Sequence, residues 1–577
     1  QLLNTIFYFQ NLMKILENRG PNATRFKECG SALFGGFVLW HQGTEICVQP
    51  LESDSHLLLF NGDIFNINNS ELRNMSDSQW IFGKLSNAKD ECELISYFKT
   101  IEGPYSIIFY DKANKIIYFA RDSLGRNSLL IEKNYEHFRL LSTSFNTNME
   151  NNTMELPPLG IYKINIEDLQ NCCLFPWRIP DENWHAQIEQ LEKSCDIVIK
   201  IRNHIECQWL SSELKDKKYN FNFYDLANSE TYSTTSELYD FFLKNTDVLN
   251  AIHQFSVLIE ESVKKRVQYT ASCCASCLGN LNSCNHSKIA ILFSGGIDCS
   301  ILAVLCDKFI PKTDSIDLVN VAFESTRTDS NWDVPDRISG KSSFKNLKDI
   351  CPDRKWNFIE VNVSKKELHH YLSVHIKHLI YPLNTVLDES IGCAFWFASR
   401  AMGLKDDSKW KSSARVVILG SGADELFGGY VRHKNAYIRH NGTEEEKQLN
   451  LLNELEKDWN RIPSRNLARD DRVISDNGKT PRAPFIEEHV VNFVRSLSPN
   501  QRCCFLLEDG IGDKLFLRLY GYYVGLKSSA FLKKRAIQFG SRIANKKQNA
   551  ADRSSYMVKI YFSLKMAICL KFLFYFQ

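Results

Sequence analysis

Seven consecutive residues, Ser294-Gly295-Gly296-Ile297-Asp298-Cys299-Ser300, combine two glycines, hydroxyl and thiol donors and one carboxylate. Such a set suits an anion held by main chain. The glycines let a phosphate approach the backbone closely, and Ser294 and Ser300 add donors without bulk. A helix starting here would turn its free N–H groups and its dipole toward the anion. A carboxylate in the loop repels phosphate on its own, so Asp298 is best read as a ligand for Mg²⁺ carried by that phosphate. The loop lacks the G-x-x-x-x-G-K-[ST] pattern and its lysine, which excludes a Walker-type site. A plain glycine turn between strand and helix is the alternative, because a short motif alone does not separate the two.

A second glycine turn carries acids. In RVVILGSGADELFGGYVRH, Gly420 and Gly422 precede Asp424 and Glu425. Apolar runs over Lys288–Phe293 and Arg415–Gly420 predict buried strands leading into the two turns, and Ile301–Leu305 suits the helix after the first. Loops at strand carboxyl ends of an open parallel sheet share one crevice. Asp424 can then face Asp298 and complete a two-carboxylate magnesium site. A capped helix start with solvated acids is the alternative for this turn taken alone.

Beyond residue 250, long helical stretches alternate with KIAILF, IDLVNVAF and RVVILG, which predicts an α/β unit with a parallel sheet. Between Cys29 and Ile164, runs such as HLLLFNGDIF, YSIIFYD, KIIYFAR and GIYKIN are separated by turn signals and predict a layered, mostly antiparallel β unit. One helix is expected before Arg19 and another over Trp80–Phe98. Residues from about 170 to 250 are polar and mixed, with SSELKDKKYN and NSETYSTTSE, and predict a connection with local helices.

The Ser294 loop resembles the pyrophosphate loop S-G-G-x-D-S-[ST] of ATP pyrophosphatases, with Cys299 where a serine is usual. With the second turn, and with YPLNTVLDESIGCAFWFASR, NLARDDRVISDNGKTPRAPFIEE, GDKLFLRLYGYY and LKKRAIQFGSRIAN, the rear half is similar to the synthetase domain of asparagine synthetase. That resemblance implies ATP and Mg²⁺. The pyrophosphate site would be Ser294, Gly295, Gly296, Asp298, Cys299, Ser300 and Gly420, the metal ligands Asp298 and Asp424, and Lys514 a catalytic cation at the nucleotide phosphates. Two family glutamates are replaced, one by Ser421 in the second motif and one by Thr480, although Arg482, Pro484 and Phe485 match. A positioned carboxylate contributes about 10²- to 10⁴-fold to proton chemistry, and serine cannot replace it. The replacements favour the alternative of a non-catalytic nucleotide-binding scaffold.

RGPN from Arg19, NGDIF from Asn61, SDSQ from Ser76, EGPYSIIFY from Glu102 and RDSLGRNSLL from Arg121 resemble, in order, blocks of a class II glutamine amidotransferase. The resemblance implies a glutamine site in which Arg19 and Asp77 grip the amino-acid end, and Asn61 with Gly62 supply oxyanion donors. The nucleophile of that class is an N-terminal cysteine whose own amine acts as base. Gln1 stands here, and Cys29 and Cys47 follow the first helix, so the expectation is a true start upstream, with a decayed scaffold as the alternative.

The implied architecture is an α+β layered, glutaminase-like (Ntn hydrolase) domain over residues 1–165, a connection over 166–250, an α/β parallel-sheet ATP pyrophosphatase (adenine nucleotide alpha hydrolase-like) domain over 251–545, and a tail over 546–577. The implied ligands are glutamine, ATP and an aspartate-like acid, and a homodimer is compatible with the resemblance.

Bulk properties agree. At 577 residues the chain exceeds one ordinary core, and 44% apolar with 24% charged residues fits a globular protein. A net charge of +2 provides no global field for nucleic acid. Eighteen scattered cysteines without a leader pattern point to a reducing, cytoplasmic setting. CCASCLGNLNSCNH offers Cys273, Cys274, Cys277, Cys284 and His286 as zinc ligands, but the irregular spacing predicts an exposed insertion loop instead. The apolar C-terminus is broken by Lys559, Lys565 and Lys571, so no membrane span is expected there.

Overall fold

The computed structural model describes residues 2–43, 45–67, 75–133, 137–145, 153–205, 219–278, 284–324, 332–544 and 549–558. Two seven-stranded sheets organise them. The front sheet runs Val198–Ile201, Asp168–Pro176, Gly160–Asn165, Ile116–Arg121, Tyr105–Asp111, His56–Gly62 and Leu51–Glu52 from edge to edge. Its neighbours are antiparallel except the first two, which pair in parallel. The sheet continues past residue 165, where the sequence placed the boundary. Asp168–Pro176 and Val198–Ile201 add two strands that the polar composition of this stretch concealed.

Helices cover the front sheet, and Ile107, Phe109 and Phe119 share one apolar cluster with Ile81, Leu85, Phe98 and Leu191. Where one helix was expected over Trp80–Phe98 there are two. A capping box between Ser76 and Gln79 starts Asp77–Ser86, Asn87 ends it, and Asp90 accepts from the Glu93 amide to start Glu91–Lys99. The helix Leu2–Arg19 forms as expected, but Tyr8, Leu12 and Ile15 lie in a cluster with Val321, Val417 and Trp396 of the rear unit.

The rear sheet runs Ser408–Lys411, Met402–Lys405, Trp356–Val363, Ile316–Phe323, Ile289–Leu292, Val416–Ile418 and Thr480–Arg482. Five strands are parallel. Instead of a wholly parallel sheet, an antiparallel hairpin closes one edge, made possible by Asp406 and Asp407 at φ 47° and 60° in a two-residue turn. Ile316–Phe323 is buried at every position, as a strand covered on both faces should be. Counted along the chain, the parallel strands are ordered 3-2-1-4-5 across the sheet. Connections therefore leave in opposite directions from Ile289–Leu292 and Val416–Ile418, opening a crevice at their carboxyl ends.

Buried ion pairs join the front and rear units: Asp63 with Arg482, Arg126 with Glu488, Glu155 with Arg472, and Arg19 with Asp471. No helix among the described residues is long and apolar enough to cross a membrane. The apolar stretch after Val558 lies outside the described residues.

Candidate functional site

The crevice holds a cavity of about 390 Å³ lined by Ser294, Gly296, Asp298, Gly420, Ser421 and Asp424, among others. Adjacent parallel strands, with Ile291 opposite Ile418, deliver the two loops side by side. Gly420 sits so close to Asp298 that a Cβ on it would lie 3.0 Å from the aspartate Cβ. Gly295 takes φ +83°, and a Cβ there would fall 2.4 Å from the Ser339 backbone. The loop is held from below by hydroxyls of the helix Pro335–Ile350: Ser339 donates to the Ser294 carbonyl at 2.9 Å and Ser343 to the Gly295 carbonyl at 2.7 Å. Gly296 caps Ile297–Phe309 without a side-chain bond, leaving the amides of the first turn open to an anion.

Lys514 joins the loops. Its ammonium lies 2.8 and 2.7 Å from the Asp298 oxygens and 3.1 Å from Asp424 Oδ1. Burial alone would push this lysine down, but Asp298 and Asp424 outweigh it and hold it above its usual value. Lys534 donates to the other Asp424 oxygen. Burial opposes ionisation of Asp424, yet Lys514 and Lys534 keep it well below the usual carboxylate range. Asp424 Oδ1 is buried and faces the Lys514 ammonium at 3.1 Å outside hydrogen-bond geometry. The donor set suits a hard divalent cation.

Other expected residues sit differently. Cys299 donates to the Gly296 carbonyl at 3.2 Å and is pushed up to about 11, by burial first and Asp298 second, so its thiol braces the loop from within. Gly295, Ser300 and Lys514 lie behind the cavity wall, and Ser300 Oγ is buried without a partner. Thr480 lines the front pocket, not this crevice.

Several crevice residues make contacts that the sequence does not signal. Lys534 lies in a block that resemblance marked without assigning a role. Glu425 accepts from Tyr430 at 2.7 Å and Asn466 at 3.0 Å, and burial, with the Asp424 charge next, raises it to about 7. Asp336 is likewise raised to about 7 by burial. Arg461 and Arg465 line the cavity beside Arg432 and Arg469, which are paired with Asp458 and with Asp388 and Asp470. Arg461, Arg465 and Arg469 recur every fourth residue along the unbroken helical stretch Glu444–Ile462, Pro463–Leu467 and Ala468–Ser475, a spacing present in the sequence, and Arg432 joins them from Val431–Ile438.

The front pocket, about 200 Å³, brings Arg19, Asn61, Gly62 and Asp77 together with Trp40, His41 and Gln42. Arg19 is already engaged, donating to Asp471 Oδ2 at 2.7 Å. Asp77 is raised to about 6 by burial and by Asp63. With its amide nitrogen facing the acids, Gln42 donates to Asp63 at 2.7 Å and Asp77 at 3.2 Å. Asn61 Nδ2 reaches Ser106 Oγ at 3.4 Å. Cys47 lines this pocket and Cys29 does not.

The exposed loop expected at Cys273–His286 is corrected by the structure. Cys273, Cys274, Cys277 and Cys284 are buried in a small core with Trp40 and Ala271, because Trp40 of the front unit covers them.

A doubly wound mixed sheet with a glycine-rich loop and paired aspartates at its switch point defines the class. The family model described as asparagine synthase matches residues 285–458. The asparagine synthetase domain-containing protein CG17486 of Drosophila melanogaster is 46% identical over 568 residues, covering 96% of this chain and 97% of that protein. Asparagine synthetase domain-containing protein 1 of Homo sapiens is 34% identical over 616 residues, covering 93% and 92%. A putative glutamine-hydrolyzing asparagine synthetase 1 of Methanocaldococcus jannaschii is 25% identical over 529 residues, covering 85% and 77%. The chain belongs to the family of asparagine synthetase domain-containing proteins.

Proposed function

We propose that the protein is an ATP-dependent amide ligase of the asparagine synthetase type, acting on aspartate or a similar carboxylate with nitrogen from glutamine or ammonia. The observation that carries this reading is Lys514 bridging Asp298 and Asp424 across two loops at the sheet's switch point. The open amides after Gly296 and the Lys534 ammonium are suited to bind and orient a triphosphate, while Lys514, behind the wall, holds Asp298 and Asp424 in place and ionised. Asp298 and Asp424 would hold Mg²⁺, which when bound neutralises the departing pyrophosphate. Arg461 and Arg465 on the cavity lining suit an acidic acceptor.

In the reaction so proposed, a carboxylate oxygen of the acceptor bonds to the α-phosphorus of ATP as the bond to pyrophosphate breaks. Ammonia then displaces AMP and gives up a proton. Ser421 cannot take that proton. Glu425 and Asp336, both titrating near neutrality, can. The front pocket is read as the glutamine site, with Asp77, Asn61 and Gly62 facing the ligand.

Pyrophosphate release from ATP, Mg²⁺ and aspartate tests the reading, with ammonia or glutamine as nitrogen source. Turnover with ammonia but not glutamine confines the loss to the front unit, and no turnover with ammonia rejects the ligase. Asp298→Asn should abolish magnesium-dependent ATP binding, and unchanged affinity would reject the nucleotide site. One observation favours the second reading, a nucleotide-binding scaffold: Asp471 already occupies the Arg19 guanidinium. ATP binding without pyrophosphate release is its signature.

A further inference from the structure

We propose that Cys274, Cys277, Cys284 and His286 form a structural zinc site that fastens the front unit to the rear sheet. One ligand atom from each of the four lies within 4.8 Å of all the others. His286 turns Nδ1 toward the sulfurs, 3.2 Å from Cys277 Sγ and 3.7 Å from Cys274 Sγ. A tetrahedral zinc ion with Zn–S bonds of ~2.3 Å needs ligand atoms roughly 3.8 Å apart, close to the Cys274–His286 separation of 3.7 Å and inside the 4.8 Å that contains all four. The Cys274 amide donates to Cys284 Sγ at 3.2 Å, the outer-shell contact that favours a thiolate at a metal.

The surroundings fit a structural role. Cys274 is fully buried, Cys277 and Cys284 are 8% exposed, and the four ligands fill the coordination sphere without a position for substrate. Three thiolates, a neutral imidazole and Zn²⁺ carry one net negative charge. Arg415 stands beside it, donating to the Cys274 carbonyl at 2.7 Å. The same guanidinium lies 4.8 Å over the Trp40 ring and donates to the Trp40 carbonyl. The Ala271 amide donates to the His41 carbonyl at 2.8 Å. Trp40 and His41 line the front pocket, so the metal loop clamps one wall of that pocket to the start of the Ile289–Leu292 strand. Binding replaces three S–H bonds by Zn–S bonds and releases three protons to solvent, with no oxidant required.

The test is metal analysis of the full chain, expressed with added zinc and purified under reducing conditions. One zinc per chain is expected, falling at least tenfold in Cys277→Ser and Cys284→Ser and unchanged in Cys273→Ser, whose sulfur lies outside the ligand set. If the variants do not fold, Co²⁺ added to the chelated wild type should give the visible bands of a tetrahedral thiolate site and lower the reactivity of three thiols. Wild-type protein that carries no zinc and develops no cobalt bands would overturn the proposal, as would a disulfide among these cysteines in the reduced preparation.

Discussion

Arg482 holds Asp63 through two parallel hydrogen bonds, Nε to Oδ2 at 2.9 Å and Nη2 to Oδ1 at 2.6 Å, and neither side chain reaches solvent. Arg482 ends the strand beside Val416–Ile418, which leads to Asp424, while Asp63 also accepts from Gln42 and faces His41 Nε2 at 3.0 Å. The wall of the front pocket is thereby tied to the strand layer that supports the rear crevice.

Removing one partner of this pair leaves a desolvated charge, so Arg482→Met should lower unfolding free energy by about 3–5 kcal/mol. Combining it with Asp63→Leu should recover part of the loss, since the stranded carboxylate is gone. Urea unfolding of the two single variants and the double variant checks this. A double variant as weak as the sum of the singles would contradict it.

Lys514 is shared by two carboxylates. Lys514→Met should cost about 3 kcal/mol, the low end for a broken buried pair because Asp298 is partly open to the crevice. It should also remove ATP binding, measured by equilibrium titration in Mg²⁺. Asp298→Asn in the Lys514→Met background should restore stability but not ATP binding.

Gly295 and Gly296 separate folding from ligand contact. Gly295→Ala puts a Cβ at φ +83° into the Ser339 backbone and should destabilise by about 2–4 kcal/mol, read as a lower urea midpoint. Among the described residues, a Cβ on Gly296 would meet only Ser294 Oγ, at 3.6 Å, so Gly296→Ala should leave the midpoint almost unchanged. Its methyl would stand where the backbone meets phosphate, and ATP affinity should fall about tenfold or more, equivalent to ~1.4 kcal/mol.

Glu425 makes stability fall with rising pH. Its carboxyl is raised from 4.5 to about 7, so between those values the folded chain keeps a proton that the unfolded chain releases. The stabilisation is complete at low pH and is lost as pH rises through about 7. Glu425→Gln should flatten the pH dependence of unfolding from about pH 5 to about pH 8, with a relative gain of order 2–3 kcal/mol at the upper end. Asp424 has the opposite sign, but its carboxyl is held below the ordinary range, so its contribution stays constant across this window.

The rear loops were legible because each combined a local conformational demand with a continuous apolar strand, and both signals are short-range. Gly295 and Gly422 at positive φ and the buried run of Ile316–Phe323 reflect backbone chemistry written in neighbouring residues. The front sheet's continuation past residue 165 is not legible, because Val198–Ile201 is an exposed edge strand whose pairing with Asp168–Pro176 leaves no pattern in its own four residues.

By itself the sequence determined the two sheets' main strands and the glycine and aspartate content of the two turns, since backbone propensity and apolar periodicity act over a few residues. Tertiary structure alone decided that Lys514 would stand between Asp298 and Asp424, that Asp471 would occupy Arg19, and that Trp40 would cover the cysteine loop. Those pairings join residues far apart in the chain, 216 positions for Lys514 and Asp298 and 452 for Arg19 and Asp471. Their energies come from burying opposite charges and apolar surface together, a condition that exists only after the chain has folded.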